Sequence, residues 1–474
     1  MSTDTLTSPP PLPASRAFGH WAPLPVVLAG TFMMVLDFFI VNVALPAMQT
    51  GLHASSGAVE WVVAGYGLTT AVFLITGARL GDRIGRMRVF TAGLALFTLS
   101  SAGCGLAPTP GVLVAARLVQ GASAALLGPN VLAIITVLYT GADRARALAA
   151  YGMSMGVAAV SGQLIGGVLV QANLAGLGWR SCFLINIPIG LAALAAAPRV
   201  IPESRAPSRP GLDLGGTILA TLALTAVMLP LVDGRAHGWP LWTWLSLAAA
   251  PALVAALVGH QRRLAAGGGA PLLPPGLFAI AEFRAGLAAQ LLFWCGQGSF
   301  FLILTLYLQL GRGLSALHAG LMVTILAVTY VVASLRAPAL AERHGRRVLA
   351  VGAGVLAAGH LALLAAVADI GSGGSLGVLV PGLMLVGIGM GLVISTVPAI
   401  VMAVMPAEHI GATSGVLTTV QFVGSALGVA VIGVLFYGAV GHGFAPAFEL
   451  SVAVLAVTLA AVAGVSRLLP APVR

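Results

Sequence analysis

The sequence contains no lysine; all 23 of its basic residues are arginine. Charged residues of either sign account for only 8% of its 474 residues. So little charge cannot clothe a water-facing surface, which excludes a soluble globular domain. Cysteine is scarce as well. Cys104, Cys182 and Cys295 have no metal-ligand spacing, and each falls in or beside an apolar run, so they read as small buried hydrophobes. No phosphate-cradling motif and no catalytic cluster stands out, which argues against an ATP-driven pump and against an enzyme. The first 20 residues are polar and proline-rich, with no short apolar core before a cleavage site. Residues 1–22 therefore read as a disordered cytoplasmic tail, not a signal peptide.

What the chain has in abundance is apolar residues, 59%, and glycine, 61 in all. The apolar runs predict fourteen spans, at 23–45, 60–79, 88–107, 111–138, 146–171, 180–198, 213–232, 240–259, 285–308, 316–338, 348–368, 376–402, 412–438 and 445–467. Each is about 20 residues or longer, enough to cross a hydrocarbon core of about 30 Å at 1.5 Å per residue. The expected fold class is an all-α polytopic membrane protein.

The net charge of +10 suggests a nucleic-acid partner only until the charges are placed. With both termini cytoplasmic, the inner loops and tails hold 18 Arg, the outer loops hold 3 (Arg180, Arg235, Arg312), and 2 (Arg117, Arg336) lie within helices. That bias sets orientation by the positive-inside rule. The arginines form thin cytoplasmic rims that suit anionic lipid headgroups, and no continuous patch that would suit nucleic acid.

The chain repeats internally. LGDRIGR (Leu80 to Arg86) returns as LAERHGRR (Leu340 to Arg347), and Asp82 and Glu342 are 260 residues apart. The same offset aligns Ser55 with Ser315 and Asp37 with Gln297. This divides the chain into a tail at 1–22, a six-helix bundle at 23–198, linkers with two inserted central helices at 199–284, and a second six-helix bundle at 285–468. Parallel six-helix repeats are one of the transporter architectures.

Arg117 lies inside an apolar run, and a charge at membrane depth is a functional-site hypothesis by default. Gln120, Gly121, Ala124, Ala125 and Gly128 follow on its helix face, giving a cation, an amide and a strip of small residues that packs closely on neighbours. Asp37 lies about 12 Å below the outer end of its span and Arg117 about 9 Å below the end of its own, so the two can meet. Pairing reduces the cost of each charge. Protonating Asp37 would weaken the pair, which gives a route from proton binding to conformational change; the bland alternative is a static pair that locks two helices.

LDFFIVNVALP (Leu36 to Pro46), GARLGDRIGRMR (Gly77 to Arg88), Arg117–Gln120–Gly121 and GMSMGVAAVSGQLIGG (Gly152 to Gly167) occur in the order found in a known family. From residue 24 to about 467 the chain resembles the major facilitator superfamily, in its fourteen-helix drug:proton antiporter branch (the EmrB/QacA type). It departs from the branch at Phe39, where a threonine is usual, at Ala78, where a glycine is usual, and at Gln163, where a proline is usual.

The resemblance implies the major facilitator fold, two pseudo-symmetric bundles plus two inserted helices, with a proton gradient as energy source in place of a cofactor or metal. It implies proton coupling by Asp37 and Arg117. It implies gating by Asp82, Arg83 and Arg86 and by the weaker copy Glu342 and Arg343, with Asp82 capping a helix end. It assigns Gly156, Gly162, Gln163, Gly166 and Gly167 to the antiporter motif. WRSCFLINIPIG (Trp179 to Gly190) is read as a packing signature. From the family's arrangement, Asn42, Tyr66, Gln120, Asn130, Met153, Gln290, Trp294, Gln297, Phe301, Tyr307, Tyr330, Met390 and Gln421 are candidates to line the path. Amides, aromatics and methionine suit an adaptable, mostly apolar pocket. His360 reads as structural.

The expected function is secondary active transport: proton-coupled export of small amphipathic compounds by alternating access, from the inner or plasma membrane. A dedicated exporter of one metabolite or siderophore, an importer, and a non-transporting scaffold or sensor stay open. So does the existence of a periplasmic adaptor.

Overall fold

A computed structural model describes residues 19–206, 211–403, 405 and 410–466. Most of the expected tail, residues 1–18, lies outside them. The described elements are helices: α1 (Pro23–Leu52), α2 (Ser56–Ile84), α3 (Arg86–Gly105), α4 (Pro110–Leu138), α5 (Gly141–Ala172), α6 (Ser181–Leu184), α7 (Asn186–Val200), α8 (Leu214–Asp233), α9 (Leu241–Ala266), α10 (Ala281–Leu306), α11 (Ala316–His344), α12 (Arg346–Ile370), α13 (Val380–Ala403), α14 (Ile410–Ala439) and α15 (Phe444–Ser466). Among the described residues, fourteen segments are long and apolar enough to cross a membrane, the short α6 and α7 together forming the sixth.

Several helices outrun the apolar limits read from sequence. α1 continues past residue 45 to Leu52 and stops at His53, which takes the left-handed conformation at φ 51°. α5 begins at Gly141, ahead of the predicted 146. A helix ends where its backbone groups find caps, not where hydropathy falls. The caps are legible: Ser55 accepts from the amide of Ala58 at 3.2 Å, and Thr109 from that of Val112 at 3.3 Å, ahead of Pro110 in the first turn of α4.

The repeat is expressed in backbone geometry. α2 and α11 both have 29 residues and start 260 residues apart. Ser315 caps α11 as Ser55 caps α2. Gly85 and Gly345, at φ 127° and 54°, make the sharp junctions into α3 and α12 that side chains disfavour. α2 and α3 pack on α4; α11 and α12 pack on α13.

The two halves meet along two seams, α2 against α14 and α5 against α11. The inserted pair α8–α9 leans on the first seam, with α8 touching both α2 and α14. The end of this pair that carries the start of α8 and the end of α9 is tied down by Arg79 and Asp213. Arg79 of α2 donates to the carbonyls of Gly211 at 3.2 Å, Ala270 at 2.7 Å, and Pro271. Asp213 accepts from the amides of Gly216 at 2.7 Å and Leu272 at 3.0 Å, from Gln261 Nε2 at 2.7 Å, and lies 2.7 Å from His260 Nε2. Burial alone would raise this carboxyl; the bonds from His260, Gln261 and the two amides outweigh it and hold the group down at about 2.

The α5–α11 seam is closed towards the C-terminal end of α5 and uncovered towards its N-terminal end. A Cβ on Gly167 would meet the carbonyl of Ala316 at 2.7 Å and Leu317 Cα at 2.8 Å, and one on Gly320 would meet the Gln163 carbonyl at 2.6 Å. Gly152 and Gly156 share that face of α5, about three to four turns nearer its N-terminus, and neither would meet anything within 4 Å. Contacts between the halves at the closed end also include Gln309 Nε2 donating to the Val43 carbonyl at 2.8 Å and Ser315 Oγ donating to Gln171 Oε1 at 2.9 Å.

Candidate functional site

Asp37 and Arg117 form an ion pair through Oδ2 and Nη1, with side chains 0% and 1% exposed. Helical spacing accounts for the meeting. Asp37 faces inward from α1, and Arg117 lies on the small-residue face of α4, which lets the backbones approach. At Gly121 a side chain would run into the Tyr66 backbone of α2.

The pair is part of a larger knot. Arg117 Nε donates to the Val62 carbonyl of α2 at 2.8 Å, and Nη1 donates to Gln120 Oε1 at 2.7 Å. Gln120 Nε2 donates to Asp37 Oδ1 at 2.9 Å and to Ser101 Oγ at 2.8 Å. Asn186 Nδ2 lies 3.1 Å from Asp37 Oδ1 and 3.2 Å from Ser101 Oγ. The guanidinium lies over the Tyr66 ring at 4.4 Å. Five helices, α1, α2, α3, α4 and α7, thus meet in one buried network, with α4 and α7 bonding the carboxylate directly. Both of its oxygens and three guanidinium donors are used, which is what makes a buried charge pair tolerable.

The other expected residues fall in distinct places. Tyr66 and Gln120, expected to line the path, belong to this knot. Asn130 donates to the Gly77 carbonyl at 3.2 Å and to the Leu126 carbonyl at 2.8 Å, pinning α4 to α2. Tyr307 donates to the Gly371 carbonyl at 2.8 Å and stacks on Phe448, an anchor within the second half. Asn42 is buried and donates back to the Phe38 carbonyl at 3.0 Å. Gln163 and Gln297 are buried with no hydrogen-bond partner on either side-chain atom. Phe301 meets Phe39 edge-on at 5.5 Å across the halves. Trp294 packs where α14 offers Gly424. Gln290 and Met390 are buried, Tyr330 and Gln421 half-buried. Met153, 69% exposed, lies beside Gly152 and Gly156 on the uncovered stretch of α5. Of the antiporter-motif residues, Gly162 and Gly166 pack on α1 at Leu36–Ile40, Gly167 on α11, and Gly156 on nothing.

The loop between α2 and α3 corrects one expectation. The helix cap is not Asp82 but Glu203, in the linker after α7. Its carboxylate accepts from the amides of Met87 at 3.1 Å and Arg88 at 3.2 Å at the start of α3. Four N-terminal amides are left over by any helix, and an anion there also meets the positive end of its dipole. Asp82 pairs instead with Arg86 of its own loop, at 2.8 Å. Arg83 and Arg343 are exposed; the side chain of Glu342 lies outside the described residues. His360 is buried, with Nδ1 2.8 Å from the Leu356 carbonyl and its ring edge-on to Phe300. Cys104, Cys182 and Cys295 are free thiols.

A profile described as Major Facilitator Superfamily matches residues 27–429 and 286–472. The chain is 41% identical over 438 residues to a probable actinorhodin transporter of Streptomyces coelicolor, covering 92% of this chain and 75% of that one. It is 36% identical to a puromycin resistance protein of Streptomyces alboniger, over 90% of this chain and 85% of that one. It is 33% identical to a tetracenomycin C resistance and export protein of Streptomyces glaucescens, over 94% and 82%. Among solved structures, a POT family transporter in complex with 5-aminolevulinic acid matches with TM-score 0.67 at 16% identity, over 94% of this chain and 96% of that one, a likeness of fold alone.

Proposed function

The chain belongs to the Major Facilitator Superfamily, a family of multi-pass membrane transporters, and from that premise we propose that it is a proton-driven exporter of small amphipathic compounds. The relatives named for antibiotic export and resistance support the direction and the substrate class. The observation that carries the proton is the Asp37–Arg117 knot.

Three features of the knot suit coupling. Among the described residues, the carboxylate is the one acid of the first bundle buried against a guanidinium with both oxygens hydrogen-bonded. Arg117 holds α2 through the Val62 carbonyl, and α2 is the seam helix against α14, with Gly67 close to Ala426. α1 carries Asp37 and also the Val43 carbonyl that takes Gln309 from the second half. Neutralising Asp37 leaves Arg117 without its counter-charge, so the guanidinium must find a new partner or more water. Either outcome shifts α1 and α2, the helices that hold the outer side shut. The closed outer seam and uncovered inner stretch of α5 correspond to one end of an alternating-access cycle; proton binding and release at Asp37 bias its two ends.

The substrate class follows from what the interior offers. Asp37 is engaged by three side-chain donors, from Arg117, Gln120 and Asn186. The remaining candidate contacts are amides, aromatics and methionine. A neutral, weakly basic or anionic amphipath fits; a rigid dication would need carboxylates to replace its hydration. Relatives named for single compounds favour a second reading, a dedicated exporter of one natural product.

The deciding measurement is substrate-dependent proton release from proteoliposomes, screened against a diverse library. Wild type should couple efflux to proton movement and Asp37→Asn should not, while still inserting and folding. Coupled, pH-dependent transport by Asp37→Asn overturns the proposal. Competition confined to one scaffold selects the dedicated exporter.

A further inference from the structure

We propose that Glu60 is a second proton-binding site, which takes its proton from the outer side and returns it there, so that closure of the outer face depends on external pH without adding to the protons carried per cycle. The inference rests on the alternating-access reading above.

Glu60 lies in the second turn of α2, at the outer end. Its side chain is 1% exposed, and neither carboxyl oxygen has a hydrogen-bond partner. The carboxyl lies directly on α14 of the other half: a Cβ on Gly433 would meet Oε2 at 2.5 Å and Cδ at 2.7 Å. Two charged groups face it from the turn between the inserted helices, Arg235 and Asp233. The Arg235 guanidinium is 3.8 Å away, already donating to Ser56 Oγ at 2.5 Å and lying over the Tyr437 ring at 5.0 Å. Asp233 takes a hydrogen bond from Trp61 Nε1 at 3.3 Å, and its carbonyl lies 2.9 Å from His237 Nδ1. From α14 the facing group is Tyr437, whose hydroxyl is also buried without a partner.

An anion with no hydrogen bond at either oxygen is costly to bury, whereas a carboxylic acid is neutral and gains a donor. The burial exists only while α2 lies on α14. Parting the seam would expose Glu60 to water and leave it beside Arg235, and both favour the anion. Closure and protonation are therefore linked. Acid favours the closed outer face, and the preference is lost as pH rises. Arg235, 24% exposed, brings water to the cluster from outside, while the length of α2 separates Glu60 from the cytoplasmic face. The proton thus leaves by the side it entered, unlike one carried by Asp37.

The test places spin labels at positions 53 and 441, exposed on the outer ends of the two halves, with Cys104, Cys182 and Cys295 replaced by alanine. Distances are read in nanodiscs in acidic and alkaline buffer, in wild type and on an Asp37→Asn background that removes the other titration. Both should move from short to long distances as pH rises, and Glu60→Gln should stay short throughout. Arg235→Ala keeps the carboxyl and should move the midpoint up by about one pH unit. In proteoliposomes Glu60→Gln should keep the wild-type proton-to-substrate ratio. A wild-type pH response in Glu60→Gln, no response in wild type, or a lowered ratio in Glu60→Gln overturns the proposal. Should Glu60→Gln fail to insert, an unmoved midpoint in Arg235→Ala does so. Failure of the Asp37 reading shows separately, as coupled transport by Asp37→Asn.

Discussion

At the scale of single residues, the knot at Asp37 is asymmetric, and the asymmetry is measurable. Asp37→Asn removes a charge but keeps an acceptor and the shape, leaving Arg117 its bonds to Val62 and Gln120. Arg117→Ala leaves a carboxylate buried without its counter-ion, a loss of about 3–5 kcal/mol. Thermal unfolding in detergent should therefore find Arg117→Ala much less stable than Asp37→Asn, with the double variant recovering part of the difference. Equal melting of the two single variants would show that the pair carries no net electrostatic weight. Two members of the knot escaped sequence reasoning. Asn186 sits in the LINIPIG run read as a packing signature, and Ser101 in an unremarkable serine pair of α3. Nothing in either stretch marks it as polar machinery. Only the tertiary packing does so, which sets Asn186 on Asp37 and Ser101 on Gln120.

At the scale of elements, glycines with the same appearance in sequence have different work. Gly167 lets α5 lie on the backbone of α11, whereas Gly156 faces open space in this state. Gly167→Leu should wedge the outer seam apart and increase labelling of a cysteine at position 171 from outside. Gly156→Leu should leave that labelling at its wild-type level, so equal labelling of both variants would contradict the arrangement. The inserted pair α8–α9 is likewise more than a spacer. Asp213→Ala strands the amides of Gly216 and Leu272 and the Gln261 side chain, at about 1–3 kcal/mol for each buried group left unsatisfied. A lowered melting temperature is expected. The Asp213 carboxyl is held down at about 2, below its unfolded value, so its contribution is present above the unfolded value and is lost only as pH falls through about 2. Detergent melts near neutral pH should accordingly show no pH dependence from this group.

At the scale of the whole molecule, the arginine partition predicts an orientation with both termini cytoplasmic. Single-cysteine labelling on a cysteine-free background is expected to reach position 53 from outside and position 205 only from inside; the reverse pattern would invert the topology. The 260-residue repeat gives two halves with the same caps and the same glycine junctions, yet they are not equivalent. Where the first half has the Asp37 carboxylate, the second has Gln297, buried and without a partner. At this matched pair of positions the charge lies in one half alone.

The sequence by itself determined the number of spans, the repeat, and the two charges at membrane depth. Each depends on local quantities: the length of an apolar run, the offset of a motif, the cost of a lone guanidinium in hydrocarbon. It also brought Asp37 and Arg117 to matching depth, because helical rise converts residue counts to distance. Which residues complete their pair was decided by tertiary structure alone, since hydrogen-bond partners come from helices up to 149 residues away in the chain. The same holds for Glu203, whose helix lies more than a hundred residues before it, and for Glu60. In sequence Glu60 is one acid near a span end; against Gly433 of α14 it becomes a buried carboxyl at the seam. Long-range packing changes what such a group is, because burial and partners, not residue type, set the cost of its charge.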